Sequence, residues 1–114
     1  MNKYYLDTSI WLDFFEARGI NGKSVKKMMN NLSQENSIII CSEVVFNELL
    51  KIGYSKSDLR ESFYPIKNYI KFVYSKKEQF GKAKQISQKR KLPLFDVFHS
   101  IIARDNKAIL MSIN

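Results

Sequence analysis

The chain has 114 residues, 45% of them hydrophobic and 26% charged, and Cys41 is its one cysteine. That size holds one domain, 1–114, around a single core. No apolar run nears the ~20 residues that cross a bilayer and no secretory pattern opens the chain; a lone cysteine excludes an intrachain disulfide and a cysteine-based metal knuckle, and fits a reducing, cytoplasmic setting. The net charge of +8 favours a polyanionic partner: nucleic acid, an anionic membrane or an acidic protein.

Residues 3–6 read as a short aromatic strand stopped by Asp7-Thr8-Ser9, a cluster that can cap the helix expected from Ile10 to Phe15. Gly19-Ile20-Asn21-Gly22 ends that helix, and Val25, Met28, Met29 and Leu32 place a second one from about Lys23 to Asn36. Ser37-Ile38-Ile39-Ile40-Cys41 is apolar on both faces, as a strand inside a parallel sheet must be. Ser42 is positioned as the N-cap of a helix from Glu43 to about Gly53. Ser55-Lys56-Ser57-Asp58 is a capping box opening a helix toward Tyr64, which Pro65 interrupts. Lys71–Tyr74 reads as a third strand, and Ser75-Lys76-Lys77-Glu78 as a second capping box for a helix to Lys91. After the connector Leu92–Phe95, a final helix is expected from Asp96 to Asn106 and a fourth strand from Ala108 to Ser112. Strands alternating with helices imply a mostly parallel sheet covered on both faces.

Three carboxylates stand out by position. Asp7 ends a strand, where α/β proteins hold ligands. Glu48 falls between Val44, Val45 and Ile52 on one helical stripe, and a carboxylate there needs a cation. Glu43 projects about 140° away by helical geometry and is expected to be solvated. Asp96 stands in a first helical turn, against the positive end of the dipole. Phe98, Ile101 and Ile102 form that helix's apolar stripe, with Asp96, His99, Ser100 and Ala103 expected to point elsewhere. Oxygen ligands without a Cys or His cluster suit Mg²⁺ or Mn²⁺, which polarise a phosphoryl oxygen and supply hydroxide, the chemistry of nucleases. Between Lys67 and Lys91 nine cations face Glu78 alone, either as a solvated helix face or as a basic run that meets a phosphate backbone.

Tyr5-Leu6-Asp7-Thr8-Ser9, Ser42-Glu43-Val44-Val45-Phe46-Asn47-Glu48-Leu49-Leu50, Leu92-Pro93-Leu94-Phe95-Asp96 and Ala108-Ile109-Leu110-Met111-Ser112 resemble, in order and spacing, the successive blocks of PIN domains, many of them VapC-like toxin ribonucleases. The resemblance implies a three-layer α/β/α sandwich with a mostly parallel sheet of four or five strands and divalent-metal-dependent cleavage of RNA. It also implies a homodimer and a small antitoxin that inserts a segment near the acidic pocket. Asp7, Glu48 and Asp96 match the family's acidic metal positions, Ser112 its hydroxyl near the site, and Thr8 and Ser9 the hydroxyls after the first Asp. Asn114 stands where the family often has a further acid, so one well-held ion is expected rather than two. Relatives usually continue into another strand and helix, which leaves a truncated or trimmed domain as the expectation here.

His99, one turn after Asp96, reads first as structural and otherwise as a group ordering a metal-bound water or touching a phosphate. Tyr4, Tyr5, Trp11, Phe14 and Phe15 read as core or an oligomer face, Asp13 and Glu16 as solvated, and Cys41 as inert in its apolar strand. Lys76, Lys82, Lys84 and Arg90 are the candidates for contact with an RNA backbone. The rival readings are an inactive PIN-like module that binds nucleic acid or protein, and a receiver-like domain phosphorylated on a strand-end Asp.

Overall fold

A computed structural model of the chain describes residues 2–16, 27–32 and 34–112. The Gly19–Gly22 stop, the expected start of the second helix and Asn114 lie outside the described residues. Four strands alternate with helices: β1 (Lys3–Leu6), β2 (Ile38–Ser42), β3 (Ile70–Val73) and β4 (Ile109–Met111). The helices are α1 (Thr8–Glu16), α2 (helical over 27–32), α3 (Glu43–Ile52), α4 (Lys56–Phe63), α5 (Lys77–Arg90) and α6 (Leu94–Asp105). A 3₁₀ helix, Tyr64–Tyr69, carries Pro65 in its first turn. The missing amide of Pro65 ends α4 there without orphaning a donor.

The strands lie in the order β3-β2-β1-β4, and every neighbouring pair is parallel. The Ile38–Cys41 run lies inside the sheet, as its two-sided apolar pattern requires, and Ile39, Ile40 and Cys41 are buried. Right-handed crossovers in this order put α1–α4 on one face and α5 and α6 on the other. The result is a three-layer α/β/α sandwich. Tyr5, Leu6, Trp11, Leu49, Leu59 and Ile102 are fully buried at its centre. Trp11 packs on Phe63 with ring centroids 4.9 Å apart, and Phe63 stacks on Phe46 at 5.4 Å. These rings are core, so Trp11 is no platform for a base.

Several boundaries move for local reasons. The capping box at Ser55 forms, with Asp58 N donating to Ser55 Oγ at 3.0 Å and Ser55 N to Asp58 Oδ2 at 3.1 Å. The second one shifts by one residue: Lys76 precedes α5, and its amide donates to Gln79 Oε1 at 2.7 Å. Ser75 is drawn off because its amide and hydroxyl both donate to Glu43, at 2.7 and 2.8 Å. Glu43, expected to be solvated, is thereby half-buried and ties α3 to the turn after β3. Glu16 is likewise half-buried rather than solvated, accepting from the Tyr54 hydroxyl at 3.3 Å. Helix α6 starts at Leu94 directly after Pro93, which makes Asp96 its third residue instead of its first.

Gly53 ends α3 at φ 124°, a conformation that a side chain strains, whereas Gly81 lies inside α5 with open space around an added Cβ. Gly53→Ala should destabilise the fold by about 1–2 kcal/mol. Gly81→Ala should stabilise it by about 0.5–1 kcal/mol. Urea unfolding midpoints that shift in opposite directions check both.

Candidate functional site

The carboxyl ends of β1, β2 and β4 meet at one edge of the sheet. The Asp7 amide donates to Met111 O at 3.1 Å, which brings Ser112, exposed and next in the chain, beside Asp7. Asp7 does cap α1: its Oδ1 accepts from Ile10 N at 3.2 Å and from Ser9 Oγ at 2.7 Å. Its Oδ2 has no hydrogen-bond partner among the described residues. Thr8, the first residue of α1, is buried and turns inward, where its hydroxyl donates to Glu48 Oε1 at 2.9 Å.

Glu48 has the cationic or donor partner that its place on an apolar stripe demands, and the partner is internal. His99 Nε2 lies 2.6 Å from Glu48 Oε1. His99 is only 3% exposed, so it points into the core and not away from it, and it is out of reach of a bound phosphate. Its burial is tolerated because both ring nitrogens have partners: Nδ1 lies 2.6 Å from the Tyr5 hydroxyl. The Tyr5 hydroxyl lies in turn 2.7 Å from Ser42 Oγ. Ser42 occupies the N-cap position of α3 yet makes no side-chain cap, since its hydroxyl is directed to Tyr5. Ala103, also expected to point outward, is buried with His99 one turn earlier.

The environment sets the charge states. Burial pushes the Glu48 carboxyl up, but the His99 hydrogen bond and charge and the Thr8 hydrogen bond outweigh it and hold Glu48 below the ordinary glutamate value. Burial drives the Tyr5 phenol far up, so it stays a neutral donor and acceptor. The Cys41 thiol, fully buried, is pushed up by the same cause and is inert.

Glu48 also lines an open groove of about 610 Å³ between α3, the start of α5 and the start of α6. Lys51, Lys76 and Lys77 line it with the rings of Phe80, Phe95 and Phe98. Asp96 is exposed between Phe95 and Phe98 and lies one turn before His99 on the same side of α6. Of the other basic candidates, Lys82, Lys84 and Arg90 are exposed further along α5. Among the described residues, no three His, Cys, Asp or Glu side chains stand close enough together to hold one ion. With the imidazole engaged on both sides and the thiol buried, the donors left for an external cation are carboxylate oxygens, a set that fits Mg²⁺ or Mn²⁺ in type.

The profile of the PIN domain matches residues 4–114. The chain belongs to the PIN-domain family. Its sequence matches no curated protein significantly. Two solved structures share the fold of this PIN domain. A toxin–antitoxin complex from Klebsiella pneumoniae superposes with a TM-score of 0.67 at 18% identity, over 97% of this chain and 86% of that one. VapBC2 from Rickettsia felis, bound to a DNA fragment from its promoter, gives 0.69 at 15% identity, over 98% and 99%. The sequence expectation missed Tyr5 and Ser42 as members of the site. A tyrosine in a buried strand is itself a signal, because a phenol inside a core needs a partner.

The lowered acidity of Glu48 has a consequence for the metal-free protein. A carboxylate held below its ordinary value of 4.5 stabilises the fold above that pH, and the stabilisation is lost as pH falls through the lowered value. Glu48→Gln should therefore be less stable than the parent near neutrality, with the difference shrinking below about pH 4.5. Urea midpoints measured across that range read it directly.

Proposed function

We propose that this PIN domain is a divalent-metal-dependent endoribonuclease, the toxin of a toxin–antitoxin pair acting in the cytoplasm. The observation that carries the reading is that the Asp7 amide bonds Met111 O, next to Ser112, while Thr8, next to Asp7, bonds Glu48, which lines a groove shared with three lysines and with Phe95, the neighbour of Asp96. Asp7, Glu48 and Asp96 stand apart in the metal-free protein and would have to draw together to share one Mg²⁺ or Mn²⁺, with Thr8, Ser9 and Ser112 orienting ligands or water. A bound divalent ion supplies Lewis acidity at the phosphoryl oxygen and lowers the pKa of its water. Likeness to two toxin–antitoxin structures supports an antitoxin partner, and a homodimer is part of the same proposal. No helix among the described residues is long and apolar enough to cross a membrane.

The test is incubation of mixed RNA with the protein, with and without Mn²⁺. Cleavage should require the metal and fall by about 100-fold or more in Asp7→Asn and in Asp96→Asn, a loss on the scale of one charge-stabilising group. Asn at position 7 keeps a capping oxygen for α1, so the loss reports the charge and not the helix. Binding without cleavage would assign the fold to an inactive nucleic-acid module.

The RNA path follows the cations. Lys76 lines the groove beside Glu48, and Lys82, Lys84 and Arg90 extend the basic surface along α5. Each contact with a single-stranded phosphate contributes about 0.7 to the slope of log affinity against log salt. Replacing Lys82, Lys84 and Arg90 with alanine should weaken RNA binding and flatten the slope by up to about 2. Unchanged affinity, with loss in Lys76→Ala, would confine the path to the groove.

A further inference from the structure

The Glu48 carboxylate is asymmetric. Oε1 accepts from Thr8 at 2.9 Å and lies 2.6 Å from His99 Nε2, whereas Oε2 has no hydrogen-bond partner among the described residues. Counting protons behind it gives the chain a direction. If Ser42 donates to Tyr5 and Tyr5 to His99 Nδ1, then His99 donates from Nε2 to Glu48, and every hydroxyl and ring proton has an acceptor. If the chain ran the other way, the Ser42 proton would have no acceptor among the described residues. Ser42 is fully buried, and a buried orphan donor costs about 1–3 kcal/mol. With a neutral ring, a bare Nε2 would also face a carboxylate oxygen at 2.6 Å with no proton between them.

We propose that His99 is a positioning residue: it fixes Glu48 from inside the core, at the end of a one-way chain of donors from Ser42 through Tyr5, and turns Oε2 toward the groove. The proposal rests on the nuclease reading in making Glu48 a group that acts there. His99 touches neither RNA nor the groove, being absent from its lining and nearly inaccessible. Its effect passes through Glu48. Thr8 holds the same oxygen from α1, so the carboxylate is gripped between two helices while its second oxygen stays free.

The chain's only histidine makes the first half of the test direct. Long-range proton–nitrogen correlation spectra of the imidazole in the metal-free parent should show a protonated Nε2 and a bare, hydrogen-bonded Nδ1. Tyr5→Phe should move the Nδ1 shift toward that of an unbonded ring nitrogen while Nε2 stays protonated. A proton on Nδ1 in the parent, or an Nδ1 unmoved by Tyr5→Phe, overturns the donor chain whether or not the protein is a nuclease. The second half is Mn²⁺ affinity, read from free Mn²⁺ by electron paramagnetic resonance. His99→Leu should weaken it by about 10–100-fold, as loss of a supporting hydrogen bond behind a ligand does. His99→Gln, whose amide can donate to Glu48, should recover most of the loss, and in RNA cleavage kcat should follow the affinity with KM little changed. Equal or tighter Mn²⁺ binding by His99→Leu would mean that His99 competes for Glu48, and overturns the positioning role. A parent that shows the expected nitrogen pattern yet binds no Mn²⁺ overturns the metal reading and the role of His99 in it, leaving the donor chain standing.

Discussion

The 2.6 Å contact between His99 and Glu48 ties α6 to α3, and most of the site hangs from it. A carboxylate with about a quarter of its side chain exposed cannot be left unpaired on an apolar helix stripe without a penalty of several kcal/mol. The fold meets that demand with hydrogen-bond donors. Thr8 arrives from the start of α1, His99 from the middle of α6, and Tyr5 and Ser42 stand behind His99 on β1 and β2. Five elements on both faces of the sheet thus share one hydrogen-bonded cluster. A polar network satisfied on its buried side in this way specifies a single arrangement more sharply than apolar packing can.

This interior arrangement sits inside a strongly basic protein. Among the described residues the lysines and arginines behind the net charge of +8 lie largely at the surface, five of them on α5, whereas Asp7 follows β1, Glu48 lies within α3 and Asp96 stands in the first turn of α6. Three of the cations, Lys51, Lys76 and Lys77, still reach the groove that Glu48 lines. On the proposed reading, surface lysines would draw a polyanion from a distance, within the reach allowed by screening. The acidic edge would repel the same phosphates unless a cation stood between them.

Much of this was legible in the residues themselves. The Ile38–Cys41 run announced an interior parallel strand, and the Ser55 box announced α4. Asp7, with the hydroxyls that follow it, announced a strand end and a cap together. Glu48 was visible as a polar intruder on its stripe, but its partner was not. His99 lies 51 residues away, and a histidine on α6 reads equally well as inward or outward until the fold supplies Tyr5 behind it. Ser42 and Ser75 misled in one way: each is a good cap by type, and each gave its hydroxyl to a tertiary partner, Tyr5 or Glu43. Local propensity loses wherever a buried acceptor or a half-buried carboxylate competes for the same proton. The start of α6 moved because Pro93 can precede a helix as readily as it ends one.

The strand order has a kinetic meaning. β1 comes first in the chain and lies between β2 and β4, the second and the last strands. A polypeptide emerging from its N-terminus can pair β1 with β2 early, but the other side of β1 stays open until β4 follows α6. Glu48 likewise waits for His99, on α6. Parallel pairings over such separations are slow to form because loop closure precedes the reward of contact. Among the described elements the acidic edge is thus late to acquire its neighbours during synthesis. Until then Tyr5 has only Ser42 and Glu48 only Thr8, and a nascent chain holds the pieces of a site but not its geometry.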